Sequence, residues 1–312
     1  MNKTVLITGG AGFIGSHLIK ELLLYNYNVV LLKRSSTNLT KIREYVHIIK
    51  VYNIDNYTLD SVFTHNKIDY VIHLAGAYRK NHKPLDVEPF IRSNIEFGTQ
   101  LLDCMVRHDV KYFINSGTFF EYKLDNKILN ENSSLSSYNL YAATKRAFFE
   151  ILKYYSEKKD IKVIDFKLFA PYGPRDDENK LMGYVINNHL ANDIFRMTPS
   201  QQKWNWTYVK DVATAYIRGL QYFDKMDSNL EVFNIGTNKT YSVREVIKMI
   251  EKLSLNKKLV VYDKMYVPNE IFYVCCNYDK AREKLKWKPV YTIQQGLRET
   301  FKYYYERRGY DD

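Results

Sequence analysis

Apolar runs and helical stripes alternate along the first half of the chain. Val5-Leu6-Ile7 leads into a glycine-rich stretch, after which Leu18-Ile19 and Leu22-Leu23 recur at helical spacing. That order reads as strand, tight turn, helix. Further short apolar runs predict strands at Asn28–Leu32, Val46–Lys50, Tyr70–Leu74, Lys111–Asn115 and Lys162–Leu168. Long amphipathic stretches predict helices at Asp86–Arg107 and Asn139–Lys158. Strands separated by helices imply an α/β fold with a doubly wound parallel sheet and right-handed crossovers. Ligands of such sheets bind past the carboxyl ends of the strands, so the residues there carry the chemistry.

The first of those turns is Thr8-Gly9-Gly10-Ala11-Gly12-Phe13-Ile14-Gly15. Gly9, Gly12 and Gly15 are spaced G-x-x-G-x-x-G, which lets a diphosphate approach the backbone and the N–H groups opening the next helix. Gly9, Gly12, Phe13, Ile14 and Gly15 are therefore candidate dinucleotide contacts. The second strand ends in Lys33-Arg34-Ser35, with no acid between Gly15 and Arg34 except Glu21 inside the helix. A carboxylate here would hold the ribose hydroxyls of NAD, whereas Lys33 and Arg34 attract the extra phosphate of NADP. The expectation is NADP(H) in preference to NAD(H). Asp55, after the third strand, either accepts from the adenine amino group or is a plain turn aspartate. Leu74-Ala75-Gly76 is a small-residue turn that lets backbone pass close to a cofactor. His73 reads as a packed core histidine. Asn94 either braces neighbouring backbone or faces solvent.

The fifth strand runs into Asn115-Ser116-Gly117-Thr118, and the next helix opens with Tyr141-Ala142-Ala143-Thr144-Lys145. Residues four apart share a helix face, so Lys145 lies beside Tyr141. An adjacent ammonium is expected to stabilise the phenolate and lower the Tyr141 pKa toward a useful range. Thr118 is placed to hold the same substrate oxygen. Tyr154/Lys158 and Tyr155/Lys159 repeat the Y-x-x-x-K spacing about 20 Å further along the helix. They read as surface decoration.

The chain has 312 residues, 46% hydrophobic and 26% charged, which suits a folded protein with a substantial core. Its net charge of +11 is spread along the sequence without a basic arm, which favours anionic small ligands over nucleic acid. Three cysteines make neither a disulfide framework nor a metal cluster, so no metal is expected. The opening Met1-Asn2-Lys3-Thr4 runs directly into the first strand. No apolar run approaches the roughly 20 residues that span a bilayer. No leader and no membrane partner are expected, and the expected location is cytoplasmic.

The glycine triplet, the Thr118 turn, Tyr141-x-x-x-Lys145 and Pro171-Tyr172-Gly173-Pro174-Arg175 together resemble the extended short-chain dehydrogenases/reductases of the NAD-dependent epimerase/dehydratase family. Tyr208-Val209-Lys210-Asp211-Val212-Ala213, Phe233-Asn234-Ile235-Gly236 and Leu285-Lys286-Trp287-Lys288-Pro289 carry the likeness across nearly the whole chain. The resemblance implies a Rossmann domain over residues 1–168, to which residues 207–235 return. A smaller α/β substrate domain would be built mainly from residues 169–312. It also implies roles: Tyr141 as general acid/base, Lys145 tuning it and holding the nicotinamide ribose, Thr118 orienting the reacting oxygen. A homodimer through the two long helices and a nucleotide-diphosphate-sugar substrate follow from the same likeness. Tyr78, Thr118, Phe119, Phe120, Asn179 and Trp204 are the candidate substrate contacts.

Two departures narrow the reading. Family dehydratases carry Asp-Glu after the threonine, where this chain has Phe119-Phe120, so elimination chemistry is not expected. The family arginines that grip the substrate diphosphate are replaced by Trp204 and Val267; Lys203 or Lys264 could substitute as charges, and Trp204 could stack on a base. The stretches Ser116–Phe120 and Gly173–Lys180 resemble nucleotide-sugar 4-ketoreductases, which act on 4-keto-6-deoxy or 3,6-dideoxy hexoses. A 4-epimerase using tightly held NAD is the alternative, and a non-catalytic NADP-sensing or RNA-associated protein the remaining one.

Overall fold

A computed structural model describes residues 2–308 apart from 126 and 255–258. Seven parallel strands form the central sheet: β1 (Thr4–Thr8), β2 (Asn28–Lys33), β3 (Lys50–Asn53), β4 (Tyr70–His73), β5 (Tyr112–Thr118), β6 (Lys162–Leu168) and β7 (Leu230–Ile235). Their spatial order is 7-6-5-4-1-2-3. This is the doubly wound parallel sheet expected from the patterning. The strands are nearly continuous apolar runs because helices cover both faces; Val5, Leu6, Ile7, Val71 and Ile72 have no exposed surface.

One face is covered by the helices Phe13–Leu24 and Val209–Tyr222, with Ala281, Leu285 and Trp287 from late in the chain. The other is covered by Leu59–His65, Phe97–Arg107 and Leu140–Lys158. Among the helices of this second face, two start on side-chain caps. Thr58 Oγ1 accepts from Ser61 N–H, and Asn139 Oδ1 accepts from Ala142 N–H at 3.0 Å.

Three local expectations are corrected. The third strand lies at Lys50–Asn53 rather than Val46–Lys50, because Val46 and Ile49 sit in a turn packed against the core and pairing with β2 begins at Lys50. The long helix before β5 is interrupted: Val87–Ile91 and Phe97–Arg107 flank a π-helical turn, Arg92–Glu96. Tyr155 is buried under the sheet, not surface decoration, since helical rotation carries it inward, while Tyr154 is half exposed.

A second body sits above the carboxyl ends of the strands. Helices Leu181–Ala191, Val243–Ser254 and Ile293–Arg308 share an apolar core with the short strands Phe195–Met197 and Val260–Tyr262. A four-stranded sheet beside it takes three strands from residues after 200 and one, Ile128–Leu129, from before the expected boundary. Among the described residues, no helix is long and apolar enough to cross a membrane.

Candidate functional site

The turn after β1 is built tightly. Gly9 has φ +70°, and a Cβ there would lie 2.7 Å from the Ala75 nitrogen; at Gly15 it would lie 2.4 Å from the Gly9 carbonyl oxygen. Glycine is required at both. The helix that follows is capped by Gly12 with no side-chain bond and has no acid in its first turn. Its opening N–H groups, near Phe13 and Ile14, are left for an anion.

A cavity of about 710 Å³ opens over this turn. Gly9, Gly12, Phe13, Ile14, Gly15, Leu74 and Gly76 line its floor. Tyr78, Thr118, Phe119, Phe120, Tyr141, Lys145 and Trp204 continue the wall. The cradle at Gly9 and Gly15 and the uncapped helix end fit the diphosphate of a dinucleotide. Lys33, Arg34, Ser35, Ala75, Asp55 and Asn179 are not in that lining. The basic turn lies past β2. There Lys33 Nζ donates to the Arg34 carbonyl, and Asp55 accepts from Ser35 N–H at 2.6 Å. The bonds from Ser35 hold Asp55 below the ordinary carboxylate range, tied into the turn itself. Asn179 donates to Asp177, while its neighbours Asp176 and Lys180 reach the cavity.

Tyr141 and Lys145 stand in the first two turns of the helix Leu140–Lys158. Burial pushes the Tyr141 phenol well above its ordinary range, with the Glu121 carboxylate and Tyr78 adding to the rise and Thr118 opposing it. The expectation of a lowered phenol is therefore corrected: desolvation dominates, and the group that opposes it is Thr118 rather than the Lys145 ammonium. Burial also lowers Lys145, to about 8, against the pull of Glu121 and Asp165. Its Nζ sits against Gly76, where a Cβ would come within 3.2 Å. The Tyr78 ring meets Tyr141 edge-on at 4.9 Å between centroids.

Asn94 braces rather than faces solvent. It accepts from Ala77 N–H at 2.8 Å, donates to the Ala77 carbonyl at 3.1 Å, and donates to Thr144 Oγ1 at 2.9 Å. The π turn that carries it aims it at the loop after β4. His73 is a core histidine, as read. Its Nδ1 bonds Thr8 Oγ1 at 2.8 Å, Phe97, Phe113 and Phe148 surround it, and burial holds it neutral, at about 3.

Sequence reasoning missed a charged group beneath Thr118. Glu121 accepts from Thr118 N–H at 2.8 Å and pairs with Lys167, which also pairs with Asp165 at 2.7 Å. Asn115 donates to Asp165 at 2.6 Å. All four are at least nine-tenths buried. Asp165 and Lys167 lie two apart in a strand that is otherwise apolar after Lys162, and that period-two charge pair was the available signal.

The far wall of the cavity is aromatic. The Trp204 indole N–H donates to the Ile271 carbonyl and that of Trp206 to Tyr241, so the rings face inward without free donors. Trp204 packs edge-on against Phe119 and stacks on Trp206. Gln202 also lines the cavity, buried, with its Oε1 unpartnered. Of the substitute cations, Lys264 lines the cavity and Lys203 does not; Arg196 joins Lys264 there, bonded to Asp263.

Away from the cavity lining, Asp60, Cys104 and His108 bring ligand-type atoms within 4.8 Å of one another. Arg107 binds Asp60 through Nε and Nη2, and burial pushes the Cys104 thiol up to about 11. The group thus has its countercharge, and the thiol keeps its proton.

Comparison with known proteins agrees with this geometry. The model of the NAD dependent epimerase/dehydratase family matches residues 5–236. A CDP-abequose synthase of Salmonella muenchen is 27% identical over 300 residues, covering 96% of this chain and 97% of its own. A UDP-glucose 4-epimerase of Cyamopsis tetragonoloba is 28% identical over 330 residues, covering 96% and 94%. The structure of UDP-glucuronic acid 4-epimerase from Bacillus cereus, in complex with UDP-glucuronic acid and NAD, superposes with a TM-score of 0.86 at 25% identity, covering 97% and 99%. This chain belongs to the NAD dependent epimerase/dehydratase family of extended short-chain dehydrogenases/reductases.

Proposed function

We propose that the protein is an NADPH-dependent reductase of the C4 ketone of a nucleotide-linked 4-keto-6-deoxy or 3,6-dideoxy hexose. The observation that carries the reading is the aromatic wall. Phe119, Phe120 and the two indoles, whose N–H groups are engaged with backbone, offer ring faces and no donors to the sugar. A fully hydroxylated hexose would leave hydroxyls unpaired against that wall, at about 1–3 kcal/mol for each buried one. A methyl or deoxy carbon costs nothing there. The 27% identity with CDP-abequose synthase supports the same choice.

Gly9, Gly12, Gly15 and the opening of the first helix would hold the dinucleotide diphosphate, and Lys33 and Arg34 its 2′-phosphate. The bound nicotinamide supplies the hydride. Burial keeps Tyr141 protonated, the state from which a proton donor to a ketone starts. Tyr141 would deliver that proton to the C4 oxygen while Thr118 hydrogen-bonds the same oxygen. Lys145, lowered to about 8, is still mostly an ammonium at neutral pH and favours the proton leaving the phenol, because it stabilises the phenolate left behind. Gln202, Arg196 and Lys264 would take the nucleotide end. The two long helices would pair copies of the chain as a homodimer in the cytoplasm.

A second reading, a 4-epimerase that keeps NAD, is favoured by one observation. The ionised Asp55 sits in the ribose turn and would repel a 2′-phosphate. The test is NADPH consumption with CDP-, dTDP- and GDP-linked 4-keto-6-deoxysugars, each prepared fresh. Stoichiometric loss with one of them establishes the reductase. No consumption, with NAD retained through purification, establishes the epimerase reading instead.

A further inference from the structure

The buried charges beneath Thr118 take no part in the chemistry above, yet they are built with care. Glu121 closes the turn that carries Thr118: its carboxylate accepts Thr118 N–H, and Thr118 Oγ1 accepts Phe120 N–H in return. Gly117 stands opposite Lys167 across the β5–β6 pairing. A Cβ at Gly117 would come within 2.9 Å of both Glu121 Oε1 and the Lys167 side chain, so glycine makes the room that the pair occupies. The Lys167 ammonium also lies 4.5 Å from the Phe149 ring centroid.

The charges do not cancel among themselves. With both carboxylates ionised, Glu121 and Asp165 face one ammonium, Lys167, with one negative charge in excess; burial pushes the Glu121 carboxyl up against that state, and Lys167 draws it back down. The balancing cation is Lys145, on which both carboxylates act across the site. The other titratable groups packed around it are Tyr141 on the same helix, Tyr78 on the loop after β4, His73 on β4 and Tyr216 on the helix Val209–Tyr222. All of these are held neutral by burial. An unbalanced buried charge is costly, so Lys145 and the cluster stabilise each other's ionised forms.

We propose that Glu121 is a positioning residue of the Thr118–Tyr141–Lys145 site: it fixes the Thr118 turn from beneath, and its carboxylate, clamped by Lys167, balances the Lys145 ammonium. The proposal rests on the reading of those three as the reacting residues. Glu121→Gln keeps an acceptor for Thr118 N–H while removing the charge, and Asp165→Asn removes the second carboxylate with shape retained.

The test follows the Lys145 Cε resonance by pH titration of the full-length, carbon-13-lysine-labelled protein, assigned by its loss in Lys145→Met. The Lys145 midpoint is expected to fall by about one pH unit in each variant, as a nearby opposite charge is lost. The alkaline limb of kcat moves with it. Unmoved midpoints in both variants, with cooperative unfolding preserved, overturn the proposal; a merely structural role lowers kcat at every pH without moving them. The titration needs no substrate. A shifted midpoint in a protein that consumes no NADPH therefore sinks the reductase reading and upholds this one, and an unmoved midpoint in an active reductase does the reverse.

Discussion

Asn94 and Thr144 meet in the buried interior, the amide donating to the hydroxyl at 2.9 Å, and so tie the π turn to the helix that carries Tyr141 and Lys145. Thr144 in turn donates to the Tyr141 carbonyl at 2.8 Å. Asn94→Ala would strip its own bonds to Thr144 and Ala77 and leave the Ala77 backbone unpaired. The expected loss is about 2 kcal/mol in urea unfolding. kcat should fall with little change in KM, because the loop and helix that flank the reacting oxygen would no longer be braced.

Tyr141→Phe removes the proposed proton donor and little else from a ring already packed against Tyr78. Turnover should drop on the order of 100-fold or more. NADPH affinity, measured by calorimetry, should stay nearly intact. An equal loss of cofactor binding would show that the phenol holds the cofactor instead of serving the reaction.

On the proposed reading, the Lys33/Arg34 turn separates the two cofactors. Replacing both residues by alanine should weaken NADPH binding at least about tenfold, since a charge-assisted phosphate contact is worth about 1.5–3 kcal/mol. NADH binding should scarcely change. Equal weakening of both, or of neither, would point to Asp55 as the group that sets preference and to NAD as the resident cofactor.

His73 gives the stability a slope in acid. Its folded pKa, about 3, lies below the ordinary value near 6.5, so the unfolded chain binds a proton that the folded one refuses. Stability is therefore lost as pH falls from about 6.5 toward 3, at about 1.4 kcal/mol per pH unit from this residue. Asp211, raised by burial to about 6, works in the opposite sense below that pH. His73→Asn can still accept from Thr8 but cannot titrate. Its urea midpoints between pH 6.5 and 4.5 should fall less steeply than those of the parent; parallel slopes would refute the assignment.

The glycine triplet, Thr118 and the Tyr141/Lys145 pair were legible because each is a short pattern whose geometry is set within one turn. The parallel sheet was legible from apolar runs for the same reason. Val46–Ile49 misled because a β-branched run satisfies a strand or a packed turn equally well, and only pairing with β2 decides between them. Glu121 was hidden differently. Its partner Lys167 is 46 residues away, and nothing local says that a glutamate after two phenylalanines points inward. Asn94 needed the π turn, a register change that no periodicity announces.

The return of the chain to its first sheet has a consequence for how the molecule comes apart. Residues 230–235 form an edge strand of that sheet, the helix Val209–Tyr222 packs beneath it, and Trp287 bonds back to the Asp211 carbonyl. Meanwhile Ile128–Leu129 crosses upward into the other body. The two bodies are stitched together by several passes of the backbone rather than hung on one linker. Cutting after Leu168 would therefore not release an autonomous nucleotide-binding module but a sheet with a bare, sticky edge. Melting should proceed as a single cooperative transition, with the cavity's floor and wall lost together.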